Sequence, residues 1–198
     1  MNDDLHGSAP DKCPTGLLLV DVINPFDFPE ASQLLRTALP AARRIAELKQ
    51  NARAANVPVI YANDNFGRWR SDLRAVLERC LEPDCVGRPI AELLRPEPDD
   101  YLVLKPKHSA FFSTTLETLL KYLGTQTVIV AGFAGNICVL FTANDAYMRD
   151  FRVIVPADCV ASNTSELNWA ALEQMKTVLK CDIGSAASVD FAALLAKR

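Results

Sequence analysis

Apolar runs and helically spaced apolar positions alternate along the chain. Gly16 to Ile23, reading GLLLVDVI, is an apolar run interrupted only by Asp21, which is typical of a strand covered on both faces. Residues 34–55 then repeat apolar side chains at helical spacing, and Pro40 is expected to break this helix or to open its main segment. The same patterns predict further strands at 57–62, 101–105, 127–131 and 152–156, with a short edge strand at 182–184. They predict further helices at 72–81, 116–123, 137–149, 166–180 and 189–196.

Strands that alternate with helices favour a parallel sheet with helices on both faces. We therefore predict an α/β fold: a three-layer α/β/α, Rossmann-like arrangement with a six-stranded, mainly parallel sheet in the order 3-2-1-4-5-6. The length of 198 residues suits a single domain, predicted at 16–198 after an N-terminal arm at 1–15. Ligands of such sheets bind outside the carboxyl ends of the strands, so candidate residues are sought there.

Composition narrows the classes of function. The chain has 21 basic and 24 acidic residues, a net charge of -3 and no basic tract, which argues against nucleic acid or an anionic membrane as a partner. No apolar run approaches the ~20 residues that span a bilayer. The N-terminus lacks the cationic and apolar regions of a signal peptide, so we expect a cytoplasmic protein with reduced cysteines. The spacing of the six cysteines and two histidines predicts no zinc site.

Three ionisable side chains fall at the carboxyl ends of predicted strands. Asp21 ends the first strand, Lys105 ends the third, and Cys138 begins the helix after the fourth. Each alone has an ordinary explanation: a carboxylate that accepts backbone hydrogen bonds, a solvated amine, and a small buried hydrophobe. Together they predict a nucleophilic thiol, because a cation and a helix N-terminus favour the thiolate and a carboxylate can carry its proton. The Gly-Phe-Ala-Gly turn before Cys138 can aim backbone amides at an oxyanion.

Three segments resemble the isochorismatase-like cysteine hydrolases over residues 16–162. They read LLLVDVINPF, VLKPKHSAFFSTTLETLL and VIVAGFAGNICVLFTANDAYMRDFRVIVPADCVAS. The resemblance implies that Asp21 is the general acid and base, that Lys105 is the cation supporting the thiolate, and that Cys138 is the covalent nucleophile. Such an enzyme is expected to need no cofactor.

The resemblance also implies an oxyanion hole and the loss of a metal site. A cis peptide bond would join Phe133 to Ala134 and turn the Ala134 amide toward the oxyanion, beside the amide of Cys138. Metal-binding members of the family carry histidines after the second strand, whereas Asp64 is followed here by Asn and Phe66. We therefore predict no metal site, which argues against nicotinamide as the substrate.

The segment DNFGRWR after the second strand is the candidate for substrate recognition. Its arginines could clamp a carboxylate and its aromatic rings could cover a flat acyl group, although a packed Trp69 with solvent-facing arginines is an equal alternative. The candidate substrate contacts are Asn24, Phe26, Asp64, Phe66, Arg68, Trp69, Arg70 and Phe133. His108 replaces an aromatic residue of the family and is expected to cap a helix or to pack in the core.

These residues favour a hydrolase that cleaves a C–N bond of a small amide, ureido or carbamoyl compound through a covalent thioester. One alternative is an isochorismatase-type vinyl ether hydrolase, in which Asp21 protonates the substrate and no thiol nucleophile is required. Another is a nucleotide-binding module that uses Gly132-x-x-Gly135 and Asp158, a weak pattern with two glycines. A third is a member that binds without turnover. The expected partners are a small-molecule substrate and, by family analogy, further copies of the chain in a dimer or tetramer.

Overall fold

A parallel sheet with helices on both faces forms the molecule in the computed structural model, which describes residues 11–64 and 72–196. The strands are β1 (Thr15–Val20), β2 (Val59–Asp64), β3 (Tyr101–Lys105), β4 (Thr127–Phe133), β5 (Arg152–Ile154) and β6 (Val160–Ala161). The helices are α1 (Ala31–Ala54), α2 (Leu73–Leu81), α3 (Arg88–Leu93), α4 (Leu116–Leu123), α5 (Leu140–Tyr147), α6 (Ser165–Val178) and α7 (Phe191–Ala196). No helix in these two ranges is both long and apolar enough to cross a bilayer.

Strand β1 lies at the centre of the sheet, which explains its continuous apolar sequence. It pairs in parallel with β2 on one side and β4 on the other, and all six of its residues are buried. Leu17 and Leu19 point into the core cluster that contains α1, whereas Leu18 and Val20 point into the cluster beneath α4, α5 and α6. The predicted three-layer α/β/α fold is confirmed.

The last strand position differs from the prediction. The observed order is β3-β2-β1-β4-β5, and β6 pairs with the carboxyl end of β4 while β5 pairs with its amino half. The predicted order 3-2-1-4-5-6 therefore matches for its first five strands, and β6 is an additional short strand that the prediction did not include. Pro156 has no N–H to donate to a neighbouring strand, and the 3-10 turn Ala157–Cys159 follows it. These residues separate β5 from β6, which then pairs with β4. The predicted edge strand at 182–184 is one parallel bridge between Ile154 and Asp182.

Helix α1 continues through Pro40, so the predicted break is wrong. Pro40 lies on the exposed side of the helix, whereas Ala38, Ala42 and Ile45 remain buried against the sheet on either side of it. A carbonyl displaced by the proline ring on the solvent side can be hydrated, and the buried stripe keeps the two halves of the helix aligned.

The first described residues, 11–13, contact the domain at the amino ends of the strands. The N–H of Cys13 donates to the Leu123 carbonyl at 2.7 Å, and the Cys13 side chain is buried. The last residues of the predicted arm 1–15 therefore pack on the sheet layer, and residues 1–10 lie outside the described part of the chain. The division into an arm and one domain stays a prediction.

A buried ionic cluster ties α1 to the segment that leads into β3. Lys49 lies 3.3 Å from an oxygen of Asp100 and donates to the Arg95 carbonyl at 2.7 Å. Arg53 binds Asp100 at 2.6 Å and the neighbouring Asp99 at 2.7 Å. The Asp100 side chain is 1% exposed and that of Asp99 is 72% exposed, so these adjacent carboxylates differ in environment. The cluster positions the start of β3 and hence its carboxyl end.

Asp100→Ala is expected to destabilise the protein much more than Asp99→Ala. Removal of Asp100 leaves the buried Lys49 ammonium without its carboxylate, and breaking a buried pair in this way costs about 3 kcal/mol. The Asp99 pair with Arg53 is exposed to water and contributes little. Urea unfolding measures the difference in the free energy of unfolding between the two variants, provided that their m-values are the same. Equal losses of stability would contradict the structural role of the cluster.

Candidate active site

Asp21 follows β1 directly, where the chain turns sharply at the edge of the sheet. Its φ of 51° is left-handed, a conformation that aspartate tolerates better than most residues, and its N–H donates to the Ala62 carbonyl at 3.0 Å. The turn directs the carboxylate across β2, where Oδ1 accepts the N–H of Asp64 at 2.6 Å. Asp21 is therefore buried, and β2 binds both its main-chain N–H and its carboxylate.

Lys105 ends β3 and brings a buried positive charge to the same edge. Its side chain has no exposed surface, and Nζ lies 2.7 Å from Oδ2 of Asp21 and 3.6 Å from Oδ2 of Asp64. Nζ also donates to the Lys107 carbonyl at 3.1 Å and to the sulfur of Cys138 at 3.6 Å. Because parallel strands end at one edge, side chains distant in sequence meet around a single ammonium group.

Cys138 lies in the π-helical turn Gly135–Val139, which joins β4 to α5. Its sulfur accepts from the Lys105 ammonium at 3.6 Å, and the Asp21 carboxylate lies 2.7 Å from the same ammonium. The structure therefore brings together the three side chains that the sequence singled out. The peptide bond between Phe133 and Ala134, just before this turn, is cis, as the family resemblance implied.

Two glycines allow the close backbone approach that places this turn. At Gly132, with φ of 129°, a Cβ atom would lie 2.0 Å from the carbonyl oxygen of Val20. At Gly135 a Cβ atom would lie 2.4 Å from Oδ1 of Asn168. Any side chain at Gly132 would push β4 away from the end of β1, and would thereby separate the turn from the Asp21 carboxylate.

The prediction did not include Ser162 or Asn168, which hold the turn from behind. The buried Ser162 hydroxyl accepts the N–H of Asn136 at 3.1 Å and donates to Oδ1 of Asn168 at 3.0 Å. Asn168 in turn donates to the Val160 carbonyl at 3.2 Å. The sequence contains one signal that points to Ser162. It directly follows an apolar strand residue, which places its hydroxyl at the same edge of the sheet.

Burial governs the protonation of the three side chains. Burial raises the pKa of the Asp21 carboxyl above 3.8, and the Lys105 charge only partly offsets this effect. Burial acts to lower the pKa of Lys105, but the charges of Asp21 and Cys138 outweigh it and raise the value above 10.5. Lys105 is therefore protonated at neutral pH.

The thiol differs from the expectation of a cation-stabilised thiolate. Burial and the negative charge of Asp21 raise the pKa of Cys138 above 9.0, and the opposing effect of Lys105 is smaller. The free site consequently holds a neutral thiol at neutral pH. The nucleophile must lose its proton as it attacks.

The candidate substrate contacts fall into four groups. Asp64 lies at the site beside Lys105. Asn24 is buried and its side chain accepts the Phe26 N–H at 2.8 Å, which shapes the turn after β1. Phe26 and Phe133 are 3% and 0% exposed, with ring centroids 6.5 Å apart, so their burial does not support direct contact with a substrate. The remaining candidates, Phe66, Arg68, Trp69 and Arg70, lie outside the described residues.

His108 has a different position from the one expected. It is exposed, so it does not pack in the core, and its Nδ1 lies 3.9 Å from the sulfur of Cys138. Its ring centroid is 5.4 Å from that of Phe141 in α5. The expectation of capping or core packing is therefore corrected, since the imidazole contacts the thiol.

No group of three His, Cys, Asp or Glu side chains in the described ranges is arranged to hold a metal ion. The predicted absence of a metal site stays a prediction, because the segment after β2 lies partly outside those ranges.

A thiol, a carboxylate and an ammonium at the carboxyl edge of a parallel sheet are typical of hydrolytic enzymes that use a cysteine. Residues 15–185 match the family model described as the isochorismatase domain, and the chain belongs to the isochorismatase family. It is 42% identical over 172 residues to the isochorismatase family protein YaaI of Bacillus subtilis, covering 87% of this chain and 94% of that protein.

Other relatives carry names that describe amide chemistry. The chain is 29% identical to the ureidoacrylate amidohydrolase RutB of Methylobacterium radiotolerans, over 85% of this chain and 76% of that protein. The solved structure of N-carbamoylsarcosine amidase from Thermoplasma acidophilum matches with a TM-score of 0.69 and 25% identity, over 89% of this chain and 98% of that one. The family to which the chain belongs therefore includes amidohydrolases.

Iodoacetamide is expected to label Cys138 ahead of the other cysteines in the folded protein. All six cysteines lie within the described residues, and Cys138 alone among them is not buried. Because the pKa of its thiol is raised, the thiolate fraction and the labelling rate should keep rising through pH 9. Peptide mass spectrometry across a pH series, with Cys138→Ala as the control, measures both features. Equal labelling of all six thiols, or a rate that levels off below pH 8, would refute this description of the site.

Proposed function

We propose that the protein is a cysteine-dependent hydrolase that cleaves a C–N bond of a small amide, ureido or carbamoyl compound. The observation that carries the proposal is the meeting of three side chains at one ammonium group: Lys105 Nζ lies 3.6 Å from the Cys138 sulfur and 2.7 Å from Oδ2 of Asp21. The amidohydrolase names of two similar proteins support the choice of bond. The chain needs no cofactor for this chemistry, because the nucleophile and the proton carrier are side chains.

In the first step the sulfur of Cys138 attacks the carbonyl carbon of the substrate. The S–H proton passes to the Asp21 carboxylate as the S–C bond forms, which suits a thiol that is neutral in the free site. The carbonyl oxygen becomes an oxyanion, and the proposed donors to it are the main-chain amides of Ala134 and Cys138. Lys105 remains protonated and stabilises the negative charge that develops around the sulfur.

In the second step the tetrahedral intermediate collapses to a thioester. The C–N bond breaks while the nitrogen takes the proton from Asp21, so that ammonia or an amine leaves neutral. Water then attacks the thioester carbon and gives its proton to Asp21. The C–S bond breaks, the sulfur recovers a proton from Asp21, and the free enzyme is restored.

Lys105 explains how the buried Asp21 carboxylate can both accept and return a proton. Burial alone would keep Asp21 protonated and unable to accept the thiol proton, whereas the ion pair at 2.7 Å favours the charged carboxylate. The two effects oppose each other, so the carboxyl group can gain and lose a proton at moderate cost. This is the property that a general acid and base requires.

A vinyl ether hydrolase is the second candidate, and one observation favours it. The raised pKa of Asp21 also suits a carboxylic acid that protonates a substrate directly. That mechanism gives no role to the Cys138 thiol beside the Asp21–Lys105 pair, and the amide mechanism uses it.

The geometry gives little support to a nucleotide-binding module. The space beside Gly132 is filled by the Val20 carbonyl and the space beside Gly135 by Asn168, so neither glycine opens onto room for a phosphate. Asp158, the candidate ribose ligand, accepts the N–H of Ala186 at 2.7 Å and belongs to the packing of the C-terminal segment.

Cys138→Ala is expected to abolish the release of ammonia from a panel of amides, ureido acids and N-carbamoyl compounds. A loss of at least about 10⁴-fold follows if the sulfur forms the covalent intermediate. A matched Cys159→Ala variant removes a buried cysteine outside the site and should retain activity if it folds. Full activity of Cys138→Ala would exclude covalent catalysis, and turnover of a vinyl ether by that variant would favour the second candidate.

As the pH is lowered, activity is expected to be lost at a higher pH than that at which an exposed aspartate titrates. Asp21 must be ionised to accept the thiol proton, and its pKa is raised above 3.8 by burial. It therefore becomes protonated at a higher pH than usual, and kcat/KM is lost as the pH falls through that raised value. A pH profile of kcat/KM on the best substrate of the panel measures this loss of activity at low pH. A profile that stays flat down to pH 4 would contradict the role of Asp21.

A further inference from the structure

The Cys138 sulfur has a protein neighbour on its solvent side that the proposed mechanism does not use. Asp21 and Lys105 approach the thiol from the buried edge of the sheet, whereas His108 is exposed and places Nδ1 3.9 Å from the sulfur. The thiol therefore lies between an ion pair on one side and an imidazole on the other.

Hydrogen bonds fix the main chain on both sides of His108. The Lys107 carbonyl accepts from Lys105, and the N–H of Ala110 donates to the buried Thr142 hydroxyl of α5 at 3.1 Å. The ring itself packs against Phe141, one helical turn after the thiol. These contacts hold the imidazole over the sulfur, within the range where a small side-chain rotation completes a hydrogen bond. Such hydrogen bonds are often long in the absence of substrate.

Charge and chemistry give the imidazole a task that the position of Asp21 does not allow. The Asp21 carboxylate is buried, with Oδ1 accepting the Asp64 N–H and Oδ2 paired with Lys105, so it cannot exchange a proton directly with solvent. Imidazole is the side chain whose ordinary proton exchange lies closest to neutral pH, and an exposed one can pass a proton to water. The charged and titratable groups that face this pair in the described residues are Cys138 itself, Lys105 behind it, and Asp21 and Asp64 beyond Lys105.

We propose that His108 is a further catalytic residue that accepts the proton of the Cys138 thiol on the solvent side. The S–H bond breaks as a bond forms between that proton and Nδ1. In alkylation, where iodide leaves without a proton, the imidazolium then releases a proton to water, whereas in hydrolysis it returns the proton to the leaving nitrogen. The single thiol proton thus has two alternative acceptors, the buried Asp21 carboxylate and the exposed imidazole that connects the site to solvent. The inference rests on the proposed function in that it takes Cys138 as the nucleophile.

The test measures alkylation of Cys138 by iodoacetamide, which requires the same loss of the thiol proton but no knowledge of the substrate. The S–C bond forms as iodide leaves, and peptide mass spectrometry of the folded, full-length protein gives the rate at pH 7.5. His108→Ala is expected to lower this rate by about tenfold, less than the full effect of a general base because Asp21 remains. Added imidazole should restore the rate, because the exposed position leaves a space open to solvent.

Two variants serve as controls. His108→Phe keeps a ring against Phe141 but has no proton acceptor, so it should be slow and should not respond to imidazole. His6→Ala changes the other histidine of the chain and should react at the wild-type rate. A wild-type rate in His108→Ala and His108→Phe would overturn the inference. So would a slow His108→Ala rate that imidazole leaves unchanged, because the histidine would then act only through structure.

The same proteins separate this inference from the proposed function. If Cys138→Ala retains hydrolysis while His108→Ala shows the imidazole-dependent loss of alkylation, the covalent mechanism fails and the pairing of His108 with the thiol stands. If Cys138→Ala is inactive and His108→Ala is alkylated at the wild-type rate, the hydrolase proposal stands and the second proton acceptor is refuted.

Discussion

One buried ammonium group organises the candidate site. Lys105 has no exposed surface, and a positive charge in such a place is tolerated only if carboxylates and other hydrogen-bond acceptors replace its water. Asp21, Asp64 and the Lys107 carbonyl do so from three different parts of the chain. The ends of β1, β2 and β3 must therefore converge at one point, and the sulfur of Cys138 takes the remaining contact of the ammonium. The edge of the sheet cannot open without exposing an unpaired charge.

The same arrangement determines the state of the thiol. Asp21 and Lys105 carry opposite charges, so their effects on Cys138 partly cancel, and burial decides that the resting thiol keeps its proton. Such a sulfur becomes nucleophilic only as it loses its proton to a nearby acceptor, whether the electrophile is a substrate carbonyl or an alkylating agent. Attack and proton transfer must then occur together, which makes the identity and number of the nearby proton acceptors more important than the thiol alone.

The sequence was sufficient for those features that depend on local pattern and on the ends of strands. Buried parallel strands read as continuous apolar runs, and the polar residues that end them share one edge, so the convergence of Asp21, Lys105 and Cys138 could be predicted. The break at Pro156 and the continuity of α1 depend on which neighbours the chain meets, which a single sequence does not show. The exposure of His108 likewise depends on how the turn after β3 meets α5, a contact between segments 30 residues apart.

The backbone, more than the side chains, sets the distances within the site. Asp21 adopts a left-handed conformation, and Gly132 brings β4 against the Val20 carbonyl, so the carboxylate and the turn that carries the thiol are placed by the strands themselves. Ser162 and Asn168 then fix that turn from the opposite side. Substituents on the outer face, such as His108, can vary without moving these atoms. Differences in substrate among proteins with this framework should therefore arise at the outer face, and the exposed imidazole is the described residue there that contacts the sulfur.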